Sequence, residues 1–164
     1  MITAEELRCL LKYDPETGFF YWLKDMSQRV KAGDKAGSKC DGGYVVIRIR
    51  AKNYKAHRLA WLWVHGVFPE FEIDHRNTQR SDNRLDNLRI ASNSQNSQNQ
   101  RIRSDSKSGI KCVTKVTGYT DRWQSYITVN GKRRYLGMFA TKELAHQAYC
   151  KVAIAEFGEF ARVA

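Results

Sequence analysis

Four polar side chains within residues 73–99 have the types and the spacing needed to hydrolyse a phosphodiester bond. Asp74 and His75 end an apolar, strand-like run. Asn87 follows His75 by twelve residues and opens a second strand-like run, and Asn96 follows nine residues later in a segment that reads as a helix. Histidine titrates near neutral pH and can deprotonate water, while carboxylate and amide oxygens suit a hard cation. The pattern therefore offers a general base, two possible metal ligands and an orienting amide.

The composition points to a polyanionic partner. The chain has 164 residues, enough for one ordinary domain or two small ones, with a formal net charge of +11. Residues 101–137 carry a formal excess of +7. Charge concentrated on one segment favours a nucleic-acid-binding face; a basic protein without a specific partner is the alternative.

The cysteines and the apolar runs exclude several classes. Cys9, Cys40, Cys112 and Cys150 form no CxxC pair, so neither a zinc knuckle nor a redox motif is expected. Nothing resembles a secretory signal, which favours reduced thiols in a cytoplasm. The longest apolar run, residues 59–64, is too short to span a membrane.

Local patterns predict an α/β segment ahead of the candidate site. Thr3 and Glu6 form a capping box that predicts a helix to about Lys12. Further elements follow from turn signals and periodicity: a turn over residues 14–18, strands over residues 19–23 and 44–50, and an amphipathic helix over residues 56–66.

The last third of the chain predicts a three-stranded antiparallel sheet covered by one helix. Residues 101–108 are polar, basic and serine-rich, which is typical of a linker. Strand-like runs cover residues 110–116, 122–129 and 134–139, and Asn130-Gly131 predicts a tight hairpin turn. Thr141 can cap a helix whose apolar face would hold Leu144, Ala148, Tyr149, Val152 and Phe157.

The polar residues are also compatible with a calcium loop and with a structural role for His57. The crowding of Asp74, Asp82, Asn83, Asp86 and Asn87 is compatible with a calcium loop, but no glycine or terminal glutamate has the required spacing. A histidine that opens an amphipathic helix, as His57 does, is more often structural, although a phosphate contact is also open to it.

The motif Asp74-His75, Asn87-Leu88-Arg89 and Asn96 resembles the HNH nucleases of the ββα-metal class, particularly phage-type homing and free-standing endonucleases. The segment 56–61 resembles the helix that precedes the motif in that family. The resemblance implies that His75 is the general base, that Asp74 and Asn96 bind one divalent cation, and that Asn87 orients His75 and braces the loop. Many relatives have histidine where Asn96 stands, and an amide oxygen favours Mg²⁺ or Mn²⁺ over zinc.

Residues 108–164 resemble the plant ethylene-response-factor (Apetala-type) DNA-binding domain. The matching pieces are residues 108–110, 122–127, 135–139 and the final helix. The resemblance implies a sheet lying in the DNA major groove and a helix covering its back, with Trp123, Ser125 and Ile127 facing that helix. The residues expected on the DNA-facing side are Lys111, Lys115, Arg122, Gln124, Tyr126, Thr128, Arg133 and Tyr135.

Together these features predict an α+β protein: a ββα-metal HNH nuclease core followed by a three-stranded antiparallel sheet packed on one helix. The expected domains are a nuclease over residues 1–100, a linker over 101–108 and a DNA-binding domain over 109–164. The expected function is metal-dependent cleavage of double-stranded DNA by a phage or mobile-element protein, acting as a monomer or weak dimer in the host cytoplasm without a small-molecule cofactor. A non-catalytic, sequence-specific DNA-binding regulator is the main alternative. An RNA-binding protein is less well supported, because no aromatic RNA-stacking motif is present.

Overall fold

The protein divides into two compact units, Met1–Ser92 and Asn93–Ala164. The structure is a computed structural model that describes residues 1–100, 102 and 106–163. The predicted linker lies partly outside the described residues. The predicted functional domains remain predictions.

The first unit combines two helices with eight short strands. These elements are α1 (Ala4–Leu10), β1 (Leu11–Asp14), β2 (Phe19–Trp22), β3 (Lys35–Ala36), β4 (Ser38–Lys39), β5 (Val45–Ile49), β6 (Lys52–Lys55), α2 (Ala56–His65), β7 (Glu72–His75) and β8 (Leu88–Ala91). They form antiparallel sheets in the orders β1-β2-β3 and β4-β5-β6, and a β7-β8 hairpin.

The capping box predicted for α1 is confirmed. The Glu6 amide donates to the Thr3 hydroxyl over 3.2 Å, and the Thr3 amide donates to the Glu6 carboxylate over 3.1 Å. The helix ends at Leu10, two residues earlier than predicted, because Leu11 adopts an extended backbone and begins β1. The short helix thus leads directly into the first sheet.

One apolar core lies beneath both helices and the sheets of the first unit. Leu7, Leu11, Phe20, Ile47 and Leu59 are all essentially inaccessible to solvent within this core. Complete burial of such a side chain contributes about 1.5–3 kcal/mol. This core fixes α2 against the sheets.

Strands β7 and β8 pair antiparallel, and their register places the end of β7 opposite the start of β8. Asp74 lies opposite Arg89, and His75, the last residue of β7, lies opposite Leu88. The chain then runs through a loop to a 3₁₀ turn at Leu85–Asn87 before entering β8. The hairpin positions Asp74 and His75 at the mouth of that loop.

The second unit contains α3 (Asn93–Gln98), β9 (Val113–Lys115), β10 (Trp123–Val129), β11 (Lys132–Phe139) and α4 (Lys142–Phe157). The strands form an antiparallel sheet in the order β11-β10-β9. Ile127 of the sheet packs with Tyr149 and Ala153 of α4. The sheet packed on one helix is thus present, and Ser125 and Ile127 are buried as their predicted parity requires. The ββα-metal arrangement of the β7-β8 hairpin with a helix remains a prediction.

The predicted hairpin turn and the predicted start of the last helix are both confirmed. Asn130 and Gly131 have φ angles of 51° and 76°, as a tight hairpin turn requires. The Thr141 hydroxyl caps α4 by accepting a hydrogen bond from the Leu144 amide over 3.2 Å.

The predicted apolar face of α4 is wrong at Leu144, which is 46% exposed. The fully buried residues are Ala145, Tyr149 and Ala153, spaced four residues apart, so the prediction is confirmed at Tyr149. Val152 and Phe157, also predicted for this face, are partly buried and pack against the same cluster.

No helix in the described part of the chain has the length and apolar character needed to cross a membrane.

Gly18 ends the turn that begins at Asp14 and lies against the loop after β7. Its φ is +72°, and a Cβ there would lie 2.5 Å from the Asn83 carbonyl carbon and closer still to the Arg84 nitrogen. We expect Gly18→Ala to lower the free energy of unfolding by about 2–4 kcal/mol, through backbone strain plus overpacking. Urea denaturation measures the change.

Gly33→Ala is the matched control, because Gly33 also has a positive φ but a methyl group added there would have no neighbouring atom within 4 Å. It should cost only about 1–2 kcal/mol of backbone strain. Equal losses for both variants would show that the close approach at Gly18 does not constrain the loop.

Candidate active site

His75 lies at the centre of a buried cluster. It is 4% exposed, and its Nε2 lies 3.4 Å from the Asn83 side-chain oxygen. The Asn83 amide nitrogen donates to the Ser81 carbonyl over 3.4 Å, which directs the Asn83 oxygen toward the imidazole. Nε2 of His75 therefore donates to Asn83, and the lone pair of the ring resides on Nδ1.

Burial lowers the pKa of His75, while the Asn83 hydrogen bond and the nearby Asp74 charge act in the opposite direction. Burial disfavours the charged imidazolium because it removes water from around the ring. With its pKa below the ordinary value, His75 is neutral at pH 7. A neutral imidazole is the form that can accept a proton.

Asn87 braces the loop that follows β7. Its side-chain oxygen accepts from the Asn77 amide over 3.0 Å, and its side-chain nitrogen donates to the Asp82 carbonyl over 2.8 Å. Asp82 also accepts from the Asn77 side chain over 2.7 Å. These bonds close the loop beside His75, whereas the side-chain contact to the imidazole comes from Asn83.

Asn83 contacts His75 although it lies outside the motif and was not predicted as a site residue. It is 2% exposed, and its carbonyl accepts from the buried Tyr13 hydroxyl over 2.7 Å. In the sequence, Asn83 stands out only as one of several polar residues crowded between Asp74 and Asn87. The signal that could have identified it is its position eight residues after His75 in a loop closed by Asn87.

Asp74 forms a buried ion pair with its cross-strand neighbour. Its Oδ2 accepts from Arg89 Nε over 2.9 Å and from Arg89 Nη2 over 2.7 Å, and both side chains are about 6% exposed. A buried carboxylate requires such a partner. Arg89 therefore holds Asp74 in place.

The donor chemistry at Asp74 fits a divalent cation, since an ionised carboxylate has two oxygens and about four acceptor positions. Asn96 lies half-buried on α3, in the second unit. Within the described residues, no cluster of three or more histidine, cysteine or acidic side chains forms a metal cage. A cation bound by Asp74 would therefore need amide or water oxygens to complete its shell.

His57 is in the first turn of α2 and is 3% exposed. Its ring lies edge-on to His75 with centroids 5.0 Å apart, and Tyr44 lies 5.3 Å from His57 and 6.0 Å from His75. Burial, followed by the nearby His75, lowers the pKa of His57 to about 3. Its buried Nδ1 has no hydrogen-bond partner in the described part of the chain, so His57 packs as a neutral wall of the cluster.

The residues predicted to contact DNA in the second unit have different environments. The Arg133 guanidinium lies 3.8 Å from the Tyr126 ring centre, and Tyr135 lies 5.3 Å from the same ring. The Tyr126 hydroxyl donates to Gln124 over 3.0 Å. These side chains form one aromatic and basic group across β10 and β11.

The other predicted contacts are more dispersed. Lys111 donates to the carbonyls of Gln98 and Gln100, and burial lowers its pKa. The Lys115 ammonium lies 6.0 Å from the Trp123 ring centre, while Arg122 and Thr128 are exposed. Lys111 is therefore engaged by backbone carbonyls of its own unit.

The lowered pKa of His57 predicts a pH-dependent stability. In the unfolded state His57 binds a proton below about pH 6.5, whereas in the folded state it binds one only near pH 3. The free energy of unfolding is therefore highest above pH 6.5 and decreases as the pH falls below that value. From pH 7.5 to 5.5, we expect the wild type to lose about 1.4 kcal/mol more than His57→Gln in urea denaturation. His65→Gln, at an exposed histidine of α2, is the control and should show the same pH dependence as the wild type. If His57→Gln also shows the wild-type pH dependence of the free energy of unfolding, burial of His57 does not have the proposed effect.

Comparison with known proteins identifies the enzyme class. Residues 54–98 match the family described as HNH endonuclease. A solved structure titled "DNA binding and cleavage by the HNH homing endonuclease I-HmuI" is similar, with 16% sequence identity, 90% of this chain and 85% of that chain covered, and a TM-score of 0.43. No curated protein matches the chain. The match over residues 54–98 contains Asp74, His75, Asn87 and Asn96, and it confirms the predicted enzyme class, an HNH endonuclease.

Proposed function

We propose that this protein is a metal-dependent endonuclease that hydrolyses DNA, with His75 as the general base. The observation that carries the proposal is a buried imidazole whose Nε2 contacts Asn83 and whose pKa is lowered by burial, within the segment that matches the HNH endonucleases. A general base needs this state, because its lone pair must be available near neutral pH.

The chemistry of the step follows from the state of His75. Nδ1 takes a proton from a water molecule as the water oxygen attacks the phosphorus. The bond between phosphorus and the 3′ oxygen breaks, and that oxygen takes a proton from solvent. The products carry a 5′-phosphate and a 3′-hydroxyl, and His75 returns its proton to solvent.

HNH nucleases generally use a divalent metal ion, and we infer that Asp74 and Asn96 hold one here, Mg²⁺ or Mn²⁺. Arg89 supports the role of Asp74, since the buried ion pair holds the carboxylate in a fixed position. The assignment of Asn96 rests on the motif spacing. Such a cation would stabilise negative charge on the phosphate and on the departing oxygen.

We also propose that residues 109–164 form a DNA-binding domain of the Apetala type, joined by residues 101–108 to a nuclease domain over residues 1–100. Its sheet and helix, its concentration of positive charge and the group formed by Tyr126, Arg133 and Tyr135 support this assignment. Double-stranded DNA is then the partner, and a phage or mobile element is the setting that fits a homing-type nuclease. A non-catalytic DNA-binding regulator is the competing function.

Removing the proposed base tests cleavage directly. We expect His75→Ala to slow the conversion of supercoiled plasmid to open-circular or linear DNA by about 10²–10⁴-fold with Mg²⁺ or Mn²⁺, since general-base catalysis contributes about that factor. DNA affinity should change little, and EDTA should stop the wild type. His65→Ala, at an exposed helix position, is the matched control. Wild-type cleavage by His75→Ala would reject the assigned base, and no cleavage by the wild type with any metal would favour the regulator.

The two proposed ligands are tested by the metal dependence of cleavage. Asp74→Asn and Asn96→Ala should each move the Mg²⁺ midpoint to higher concentration, because each removes an oxygen donor or weakens its charge. Asn93→Ala, at an exposed position of the same helix, should leave the midpoint unchanged. If Asn96→Ala and Asn93→Ala give the same midpoint, Asn96 is not a ligand.

A further inference from the structure

We propose that Tyr44, Lys55 and Arg80 form a phosphate-binding subsite beside His75 that holds the DNA strand next to the bond being cleaved. The inference rests on the proposed DNA cleavage, and it assigns substrate contacts to residues that lie outside the motif. Its basis is the convergence of two cations on one aromatic ring at the edge of the His75 cluster.

Tyr44 connects the buried cluster with the protein surface. It immediately precedes β5 and is half-buried. Its ring lies 6.0 Å from the His75 ring and 5.3 Å from the His57 ring. A group bound at this ring would therefore lie beside the cluster that contains the proposed base.

Two exposed cations from separate segments meet at this ring. The Lys55 ammonium lies 4.5 Å from the ring centre, and the Arg80 guanidinium carbon lies 5.0 Å from it. Lys55 ends β6, whereas Arg80 belongs to the loop that Asn87 braces. Cation–π attraction at exposed sites contributes about 0.5–1 kcal/mol per pair, enough to bias each charge toward this ring.

The two cations carry uncompensated charge. In the described part of the chain, neither Lys55 nor Arg80 forms an ion pair with a carboxylate, and Arg80 donates instead to the Gly42 carbonyl over 3.0 Å. Other cations of the same unit are paired, for example Arg50 with Glu6 over 2.8 Å. Two adjacent unpaired positive charges favour an anionic ligand.

The position of the charges favours a nucleic-acid phosphate as that anion. The Arg80 guanidinium carbon lies 5.0 Å from the centre of the Tyr44 ring, and that ring lies 6.0 Å from the His75 ring. A guanidinium can donate two parallel hydrogen bonds to a phosphate, and an ammonium acts as a compact charge. Placed beside the attacked phosphorus, both would offset the negative charge that develops as water attacks.

The test compares two double variants of the full chain with equal loss of charge. Lys55→Met with Arg80→Gln removes the subsite cations, and both side chains are exposed, so folding should be preserved. Lys12→Met with Arg50→Gln removes one exposed lysine and one exposed arginine elsewhere in the unit. Binding to a DNA duplex is measured in EDTA over a range of salt concentrations, and single-turnover cleavage is measured at saturating DNA with Mg²⁺.

We expect the subsite variant to lose about 1.8 from the slope of log affinity against log salt, about 0.9 for each phosphate contact. Its cleavage rate should fall by about tenfold or more at saturating DNA, while the control keeps the wild-type slope and rate. Equal slopes for the two variants would overturn the subsite. A reduced slope with an unchanged cleavage rate would overturn its placement beside the cleaved bond.

Tyr44 is a positioning residue in this proposal, and its ring is the feature that matters. Tyr44→Phe should retain the wild-type salt slope and rate, whereas Tyr44→Leu should reduce both. Loss of both by Tyr44→Phe would contradict the role of the ring. If the wild type fails to cleave with any metal, the proposed function fails, and the salt slopes measured in EDTA still decide whether the phosphate subsite exists.

Discussion

The closed loop after β7 is the constraint on which the site depends. Asn87 ties the two sides of this loop together through Asn77 and Asp82, and the loop in turn presents Asn83 to His75. The close approach of Gly18 supports the same loop from the outside. We therefore propose that the braced loop orients His75, the proposed general base, and that Asn87 acts on His75 through Asn83.

The two kinds of ionisable group at this site accommodate burial in different ways. The imidazoles of His57 and His75 become harder to protonate, because a buried charge loses its hydration. Asp74 is equally buried, and it is compensated by Arg89 on the neighbouring strand. In the described part of the chain, the site thus combines two buried imidazoles, one carboxylate held by Arg89 and, at its rim, two cations, Lys55 and Arg80, that form no ion pair.

Local signals predicted the elements better than the contacts between them. The capping box at Thr3, the turn at Asn130-Gly131 and the amphipathic helix α2 depend on neighbouring residues, and the structure has all three. The Asn83–His75 and Asp74–Arg89 contacts depend on loop closure and strand register, which no local pattern encodes. Leu144 shows the same limit, because the side of α4 that meets the sheet is set by tertiary packing, and Leu144 lies outside that side.

The most direct test of the proposed role of His75 is its protonation state in the free protein. Long-range ¹H–¹⁵N spectra of the histidine rings at pH 7, recorded without DNA or metal, distinguish a protonated ring and both neutral tautomers. We expect His75 to be neutral with its proton on Nε2 and its lone pair on Nδ1, and Asn83→Leu to lose this preference for one tautomer. A positively charged His75 at pH 7, or a neutral ring with the proton on Nδ1, would contradict the proposal that Nδ1 of His75 accepts the proton from water.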